Sequence, residues 1–271
     1  LLPRPVSPDN PPWSLLQAFL TWIASVFLLF LPQLFAIPYL VSHYRGTRPT
    51  PEALYADKTF IIIVMSGILP AHLITLLIVW AVATRWRRFS ARQVLGWNWT
   101  QGFGLRHSVV MGILLFALAW FIAILLGGKE TELERILLSS RAAALIIAFV
   151  AVATAPLVEE AVYRGILYPA LQRTAGAIPA VVIVTLMFAA PHIPQYWPNV
   201  AAISSIALLS VVLTLVRAHT GRLLPCFVIH LVFNGIQSLI IVGEPYLRAL
   251  VERGHPQVPT SAIIHLVRII G

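Results

Sequence analysis

The chain has 271 residues, of which 59% are hydrophobic and only 11% charged, with a mean hydropathy of +0.85. That composition excludes a soluble enzyme, a disordered scaffold and a disulfide-stapled module, the last because Cys226 is the sole cysteine. The net charge of +9 comes from 19 basic and 10 acidic residues. Most of the basic residues fall in loops between apolar runs, where they suit orientation and anionic headgroups and not nucleic acid.

Residues 1–13, with Pro3, Pro5, Pro8, Pro11 and Pro12, predict an extended, non-catalytic tail ending at an interfacial anchor, Trp13. The apolar run 14–41 is interrupted by Pro32 and Pro38, which predicts a kinked anchor helix and not a cleaved leader. Runs at about 60–83 and 108–126 flank Arg85, Arg87, Arg88, Arg92 and Arg106 with Trp86, Trp97 and Trp99, a loop suited to the membrane surface. Residues 129–140 set Leu133, Ile136 and Leu137 opposite Glu130, Glu132 and Glu134, the pattern of a short interfacial helix. Four more apolar runs follow at 142–172, 176–191, 199–216 and 223–243.

These runs approach or exceed the ~20 residues that cross a bilayer as helix and lack the alternation of barrel strands. The stretch 261–270 is too short to span, and Ile263, Ile264, Val267 and Ile270 give it one apolar face for the interface. The expected fold is therefore an all-α, polytopic transmembrane helical bundle with short interfacial helices. Seven spans are counted, or eight if 246–270 is broken or re-entrant. The expected divisions are the tail 1–13, N-terminal helices and an interfacial segment 14–141, a four-span core 142–243 and a C-terminal interfacial or re-entrant segment 244–271. Such a chain resides in a membrane, the cell membrane for a prokaryotic source, and its basic residues are too evenly split to orient it.

Between Glu134 and Glu244 only two acidic residues occur, the adjacent Glu159 and Glu160. A charge at the middle of a span costs about 2.5–3.5 kcal/mol on insertion scales, so this pair needs partners or a task. Glu160 and Arg164 are four apart, acid first, the favourable order for an intrahelical pair. Glu159 is turned about 100° away from Glu160 on the same helix and is left to face something else. On the next runs, Phe188 to Pro191 lead into His192, and His230 and Asn234 share one helix face. Any one of these residues alone reads as structural. An intramembrane carboxylate, an arginine, two histidines and an amide on three spans read as a site.

Glu159-Glu160-x-x-x-Arg164, Phe188-x-x-x-His192 and His230-x-x-x-Asn234, in that order, resemble the three signature motifs of the CPBP (Abi) family of intramembrane proteases, which includes the type 2 CAAX prenyl endopeptidases. The resemblance covers roughly 142–243. It implies a helical peptidase in which Glu159 and His192 activate water while His230 and Asn234 line the site. It also implies a membrane-anchored or prenylated protein or peptide substrate met at the lipid bilayer. Members of the family range from processors of prenylated C termini to bacterial proteins linked to bacteriocin immunity.

Hydrolysis of an amide without a covalent intermediate needs a base for water, donors for the oxyanion and an acid for the leaving amine. Glu159 is the expected base with His192 as second partner to the water, Asn234 and His230 the expected donors, and Arg164 the group that holds Glu160. Cys226, four residues before His230, reads as a small hydrophobe and not a nucleophile. No cofactor is expected. The alternative is zinc on Glu159, His192 and His230, which an adjacent Arg164 opposes and which no H-E-x-x-H motif supports. The competing functions are an ion- or proton-coupled transporter, against which the missing internal repeat argues, and a non-catalytic immunity or scaffold member. From the turn at Gly176, Glu159 lies 17 residues back and His192 16 residues on. At about 1.5 Å per residue the two should reach nearly the same depth on antiparallel neighbours, with Pro156 and Pro191 shifting the match by no more than about a turn.

Overall fold

The computed structural model describes residues 5–129 and 131–254, and the expectations for Glu130 and for 261–270 lie outside the described residues. The chain forms α1 (Leu15–Leu28), α2 (Leu31–Tyr44), α3 (Pro51–Ala56), α4 (Lys58–Thr84), α5 (Ala91–Val94), α6 (Leu105–Leu126), α7 (Glu132–Ser139), α8 (Arg141–Ala175), α9 (Ala177–Tyr196), α10 (Val200–Thr220) and α11 (Leu223–Gly254). Among the described residues there is no strand, only two isolated bridges. Among the described residues, seven segments are long and apolar enough to cross a membrane: α1 with α2, then α4, α6, α8, α9, α10 and the part of α11 up to Gly243. The chain is thus an all-α, multi-pass integral membrane protein. Leu16, Phe27, Leu114, Leu125 and Leu186 are among the large apolar side chains left exposed, as lipid-facing helices require.

Polar side chains mark where the helices start. Ser14 and Gln17 form a reciprocal capping box on α1, and Asp57, Ser140 and Asn199 cap α4, α8 and α10. Gly176, at φ +87°, reverses the chain between α8 and α9, and Gly221, at φ +65°, closes α10. Close approach of α6 to α11 needs Gly112, because a Cβ there would lie 2.8 Å from that of Val232. That contact seats the helix that carries His230 and Asn234.

Three expectations are corrected. The first apolar run is two helices and not one kinked helix: the break falls at Leu29–Phe30, so that Pro32 occupies the first turn of α2, where its missing N–H leaves no bond unmade, while Pro38 lies inside it. Trp13 is not an interfacial anchor. It is 1% exposed, and its indole donates to the Ile166 carbonyl at 2.9 Å. Residues around it form a strap along α8 and α10: Arg173 donates to the Pro11 and Trp13 carbonyls, each at 2.8 Å, and Arg217 to the Pro8 carbonyl at 2.8 Å. Finally, α7 is short and amphipathic as expected, but Glu134, whose N–H is capped by the Thr131 hydroxyl, is buried and not on a polar outer face.

Candidate functional site in the α8–α11 core

The polar chemistry is organised by prolines. In α8, residues 150–154 and 160–167 run as π-helix, with the Ala155 N–H reaching Val150 and the Tyr168 N–H reaching Tyr163. In that register the next donors would be Pro156 and Pro169, which have no N–H to give to Ala151 and Arg164. Each abandoned carbonyl is taken by a side chain from another span. Asn234 Nδ2 donates to Ala151 O at 2.9 Å, and Arg217 Nε donates to Arg164 O at 3.2 Å. In α9, Pro191 leaves the Met187 carbonyl without its i+4 donor, and the Tyr163 hydroxyl donates there at 3.3 Å. Helix breakage and the placing of polar side chains are thus one event, because buried carbonyls need donors.

The two adjacent carboxylates face different surroundings. Glu160 is fully buried: its Oε1 accepts from Arg164 Nη1 at 3.0 Å and from His230 Nδ1 at 2.9 Å. Arg164 is also fully buried, donating to the Ser210 hydroxyl at 2.7 Å, the Ser210 carbonyl at 3.0 Å and the Thr214 hydroxyl at 3.2 Å. Its guanidinium carbon lies 4.6 Å from the centroid of the Phe188 ring, a cation–π contact. Glu159 keeps 24% of its side chain exposed, and the Nε2 of His230 lies 3.7 Å from its Oε2.

A cavity of about 290 Å³ collects Glu159, His192, His230 and Asn234, with Tyr196 and Gln237. His192 donates through Nδ1 to the Phe188 carbonyl at 2.7 Å, so in the neutral ring the lone pair sits on Nε2. Phe188 stacks on the same ring at 5.0 Å and holds its orientation. Of the six sequence-predicted residues, four line this cavity, while Glu160 and Arg164 stand behind it. Glu159 and His192 also share a second cavity, consistent with their matched depth from Gly176. Asn234 uses one N–H on Ala151 and keeps the other for a ligand.

Among the described residues no three His, Cys, Asp or Glu side chains are grouped as a metal-binding set. Cys226 is buried, and its thiol donates to the Leu213 carbonyl at 3.3 Å. Residues that the sequence pattern left unmarked also belong here: Ser210, Thr214 and Arg217 support the ion pair, and His72 on α4 lines the second cavity. His72 carries the general signal of an ionisable residue inside a span, whereas Arg217, near the end of its run, resembles a flanking charge.

Residues 141–236, which contain all three motifs, match the family model described as Rce1-like, type II CAAX prenyl endopeptidase Rce1-like. No curated protein and no solved structure matches the chain. The segment that brings the paired glutamates, the two histidines and the asparagine together is therefore the part of this membrane bundle that is similar to the Rce1-like type II CAAX prenyl endopeptidases.

Proposed function

We propose that the protein is an intramembrane endopeptidase that hydrolyses a peptide bond near the C terminus of a membrane-associated, prenylated protein, using water activated by Glu159 and His192. The observation that carries this reading is one cavity that brings together a partly exposed carboxylate, an imidazole with its Nε2 lone pair free and an amide N–H. In the reaction, Glu159 removes a proton from water as the oxygen bonds to the scissile carbonyl carbon, and His192 Nε2 accepts the water's second hydrogen bond. The oxyanion takes hydrogen bonds from Asn234 and His230. When the carbon–nitrogen bond breaks, the proton on Glu159 passes to the leaving amine, and the products are a carboxylate and a new N terminus. For His230 to serve the oxyanion through Nε2 it must carry protons on both nitrogens, because its Nδ1 hydrogen is committed to Glu160.

The metal-free route is supported by the guanidinium of Arg164 beside the carboxylates, a positive charge that a bound dication would oppose. The test is cleavage of a farnesylated C-terminal peptide by the purified protein in detergent, against the same peptide without its lipid and against Glu159→Gln. Cleavage of the lipidated peptide that survives exhaustive chelation, and is lost in the variant, is the expected result. Activity lost on chelation and restored by zinc alone would put the histidines in ligand roles, and no cleavage of either peptide would leave a transporter or a non-catalytic member as the better reading.

A further inference from the structure

The second cavity, of about 260 Å³, opens from Glu159 and His192 toward α1, α2 and α4. Aliphatic side chains such as Leu28, Val64, Ile68 and Val158 make most of its wall. Most of its polar hydrogens are committed elsewhere: the Thr75 hydroxyl donates to the Ala71 carbonyl at 2.9 Å, Ser25 to the Trp22 carbonyl at 2.7 Å and Tyr163 to the Met187 carbonyl at 3.3 Å.

His72 differs. Its Nδ1 lies 2.9 Å from Thr154 Oγ1, whose single hydrogen goes to the Val150 carbonyl at 3.2 Å, so the imidazole is the donor of that pair. The neutral ring then presents its lone pair at Nε2, which has no hydrogen-bond partner among the described residues, although the residue is only 8% exposed. With the Glu159 carboxylate and His192 Nε2, the cavity sets three acceptors beside its aliphatic wall, and the Gln195 amide is the donor left on its rim. A carboxylate or phosphate would meet mostly lone pairs there. The complementary chemistry is an amide N–H.

We propose that this cavity is a subsite for one flank of the peptide substrate and that His72 positions it, Nε2 accepting a main-chain N–H of that flank. His72 lies outside the matched segment 141–236. The inference rests on the endopeptidase reading, and its test separates the two.

Three variants divide the functions of the ring. His72→Gln keeps an acceptor near Nε2 but no donor to Thr154, His72→Asn keeps that donor but no acceptor in the cavity, and His72→Phe keeps neither. KM and kcat for one cleavable peptide are measured together with thermal unfolding in detergent. An acceptor left out of a buried site costs about 1–3 kcal/mol, so KM should rise about tenfold in His72→Phe and His72→Asn and much less in His72→Gln, while stability should favour His72→Asn over His72→Gln. In a second arm, N-methylation is walked along the peptide: one position should raise KM in the wild type and have little further effect in His72→Asn. A folded His72→Asn with wild-type KM, a KM order that follows the melting order, or N-methyl effects unaltered by the variant would overturn the subsite while leaving the endopeptidase in place. A wild-type protein that cleaves no peptide overturns the reading beneath it.

Discussion

The two sides of α8 treat adjacent glutamates in opposite ways. On the side toward α10, Glu160, Arg164, Ser210 and Thr214 form a buried network in which every nitrogen of the guanidinium has an acceptor. On the cavity side, Glu159 and His192 accept no hydrogen bond from another side chain among the described residues, His230 Nε2 coming no nearer to Glu159 than 3.7 Å, and Glu159 stays partly exposed. Saturated polar groups hold a fold together, whereas groups with unused capacity at a cavity wall are free to act on a ligand. Proximity in sequence therefore says little about shared role: Glu159 and Glu160 are consecutive, yet one belongs to the reaction proposed here and the other to the frame.

The comparison breaks most directly at its cavity side. Glu159→Gln is nearly isosteric and removes no saturated contact, so peptidase turnover should fall by about 10²–10⁴-fold with the melting temperature close to wild type. Turnover at the wild-type level would remove Glu159 as the base. The opposite pattern is expected on the other side. Glu160→Ala leaves Arg164 and His230 without their shared acceptor in a buried site, and the loss should be about 3–5 kcal/mol of stability, measured by thermal or denaturant unfolding in mixed micelles. Equal stability of the two variants would mean that the carboxylate roles are reversed.

Between these extremes lies Asn234, which faces the cavity yet also caps the Ala151 carbonyl. If Pro156 is the reason that carbonyl needs a cap, restoring an N–H by Pro156→Ala should make the cap less necessary. Asn234→Ala should cost about 1–3 kcal/mol in the wild-type background and measurably less in Pro156→Ala. Turnover should drop in both backgrounds, since the oxyanion donor is gone in each. A cost that is the same in both would show that π-register and cap are independent.

How much of this was legible in the sequence follows from the range of the interactions involved. The seven spans were, because each is a local apolar run, and so was the Glu160–Arg164 pair, because four residues on a helix bring two side chains together. The three motifs marked the cavity wall, although only the fold shows that four of their polar residues face it and two stand behind. Trp13, Asp9 and Arg217 could not be read this way. Their partners lie about 150 to 210 positions away, and nothing in a proline-rich stretch indicates that its carbonyls will meet arginines from later spans. Pro156, Pro169 and Pro191 were visible as breakers, but which carbonyl each one abandons depends on the local helical register, and which side chain fills it depends on packing.

The smallest effect concerns Asp57, which accepts from more donors than Glu160 but lies nearer to water, and it tests whether hydrogen bonding alone is enough to make a carboxylate structural. Asp57 caps α4, accepting the N–H groups of Thr59 and Phe60 at 3.0 and 3.1 Å and the hydroxyls of Tyr39 and Tyr44 at 2.8 and 3.1 Å. Partial burial pushes its pKa upward, but the Phe60 N–H and then the two tyrosine hydroxyls outweigh that, and the net direction is down. A depressed carboxylate contributes stability that is fully present above the unfolded value of about 3.9 and is lost as pH falls through the lower folded value. Melting temperatures between pH 3 and 6 should therefore slope more steeply for the wild type than for Asp57→Asn, with the difference worth no more than about 1 kcal/mol because water screens the group. Parallel slopes would show that Asp57 contributes no more than an ordinary surface carboxylate. A difference as large as that of Glu160→Ala would show that hydrogen bonding without deep burial is enough to make a carboxylate part of the frame.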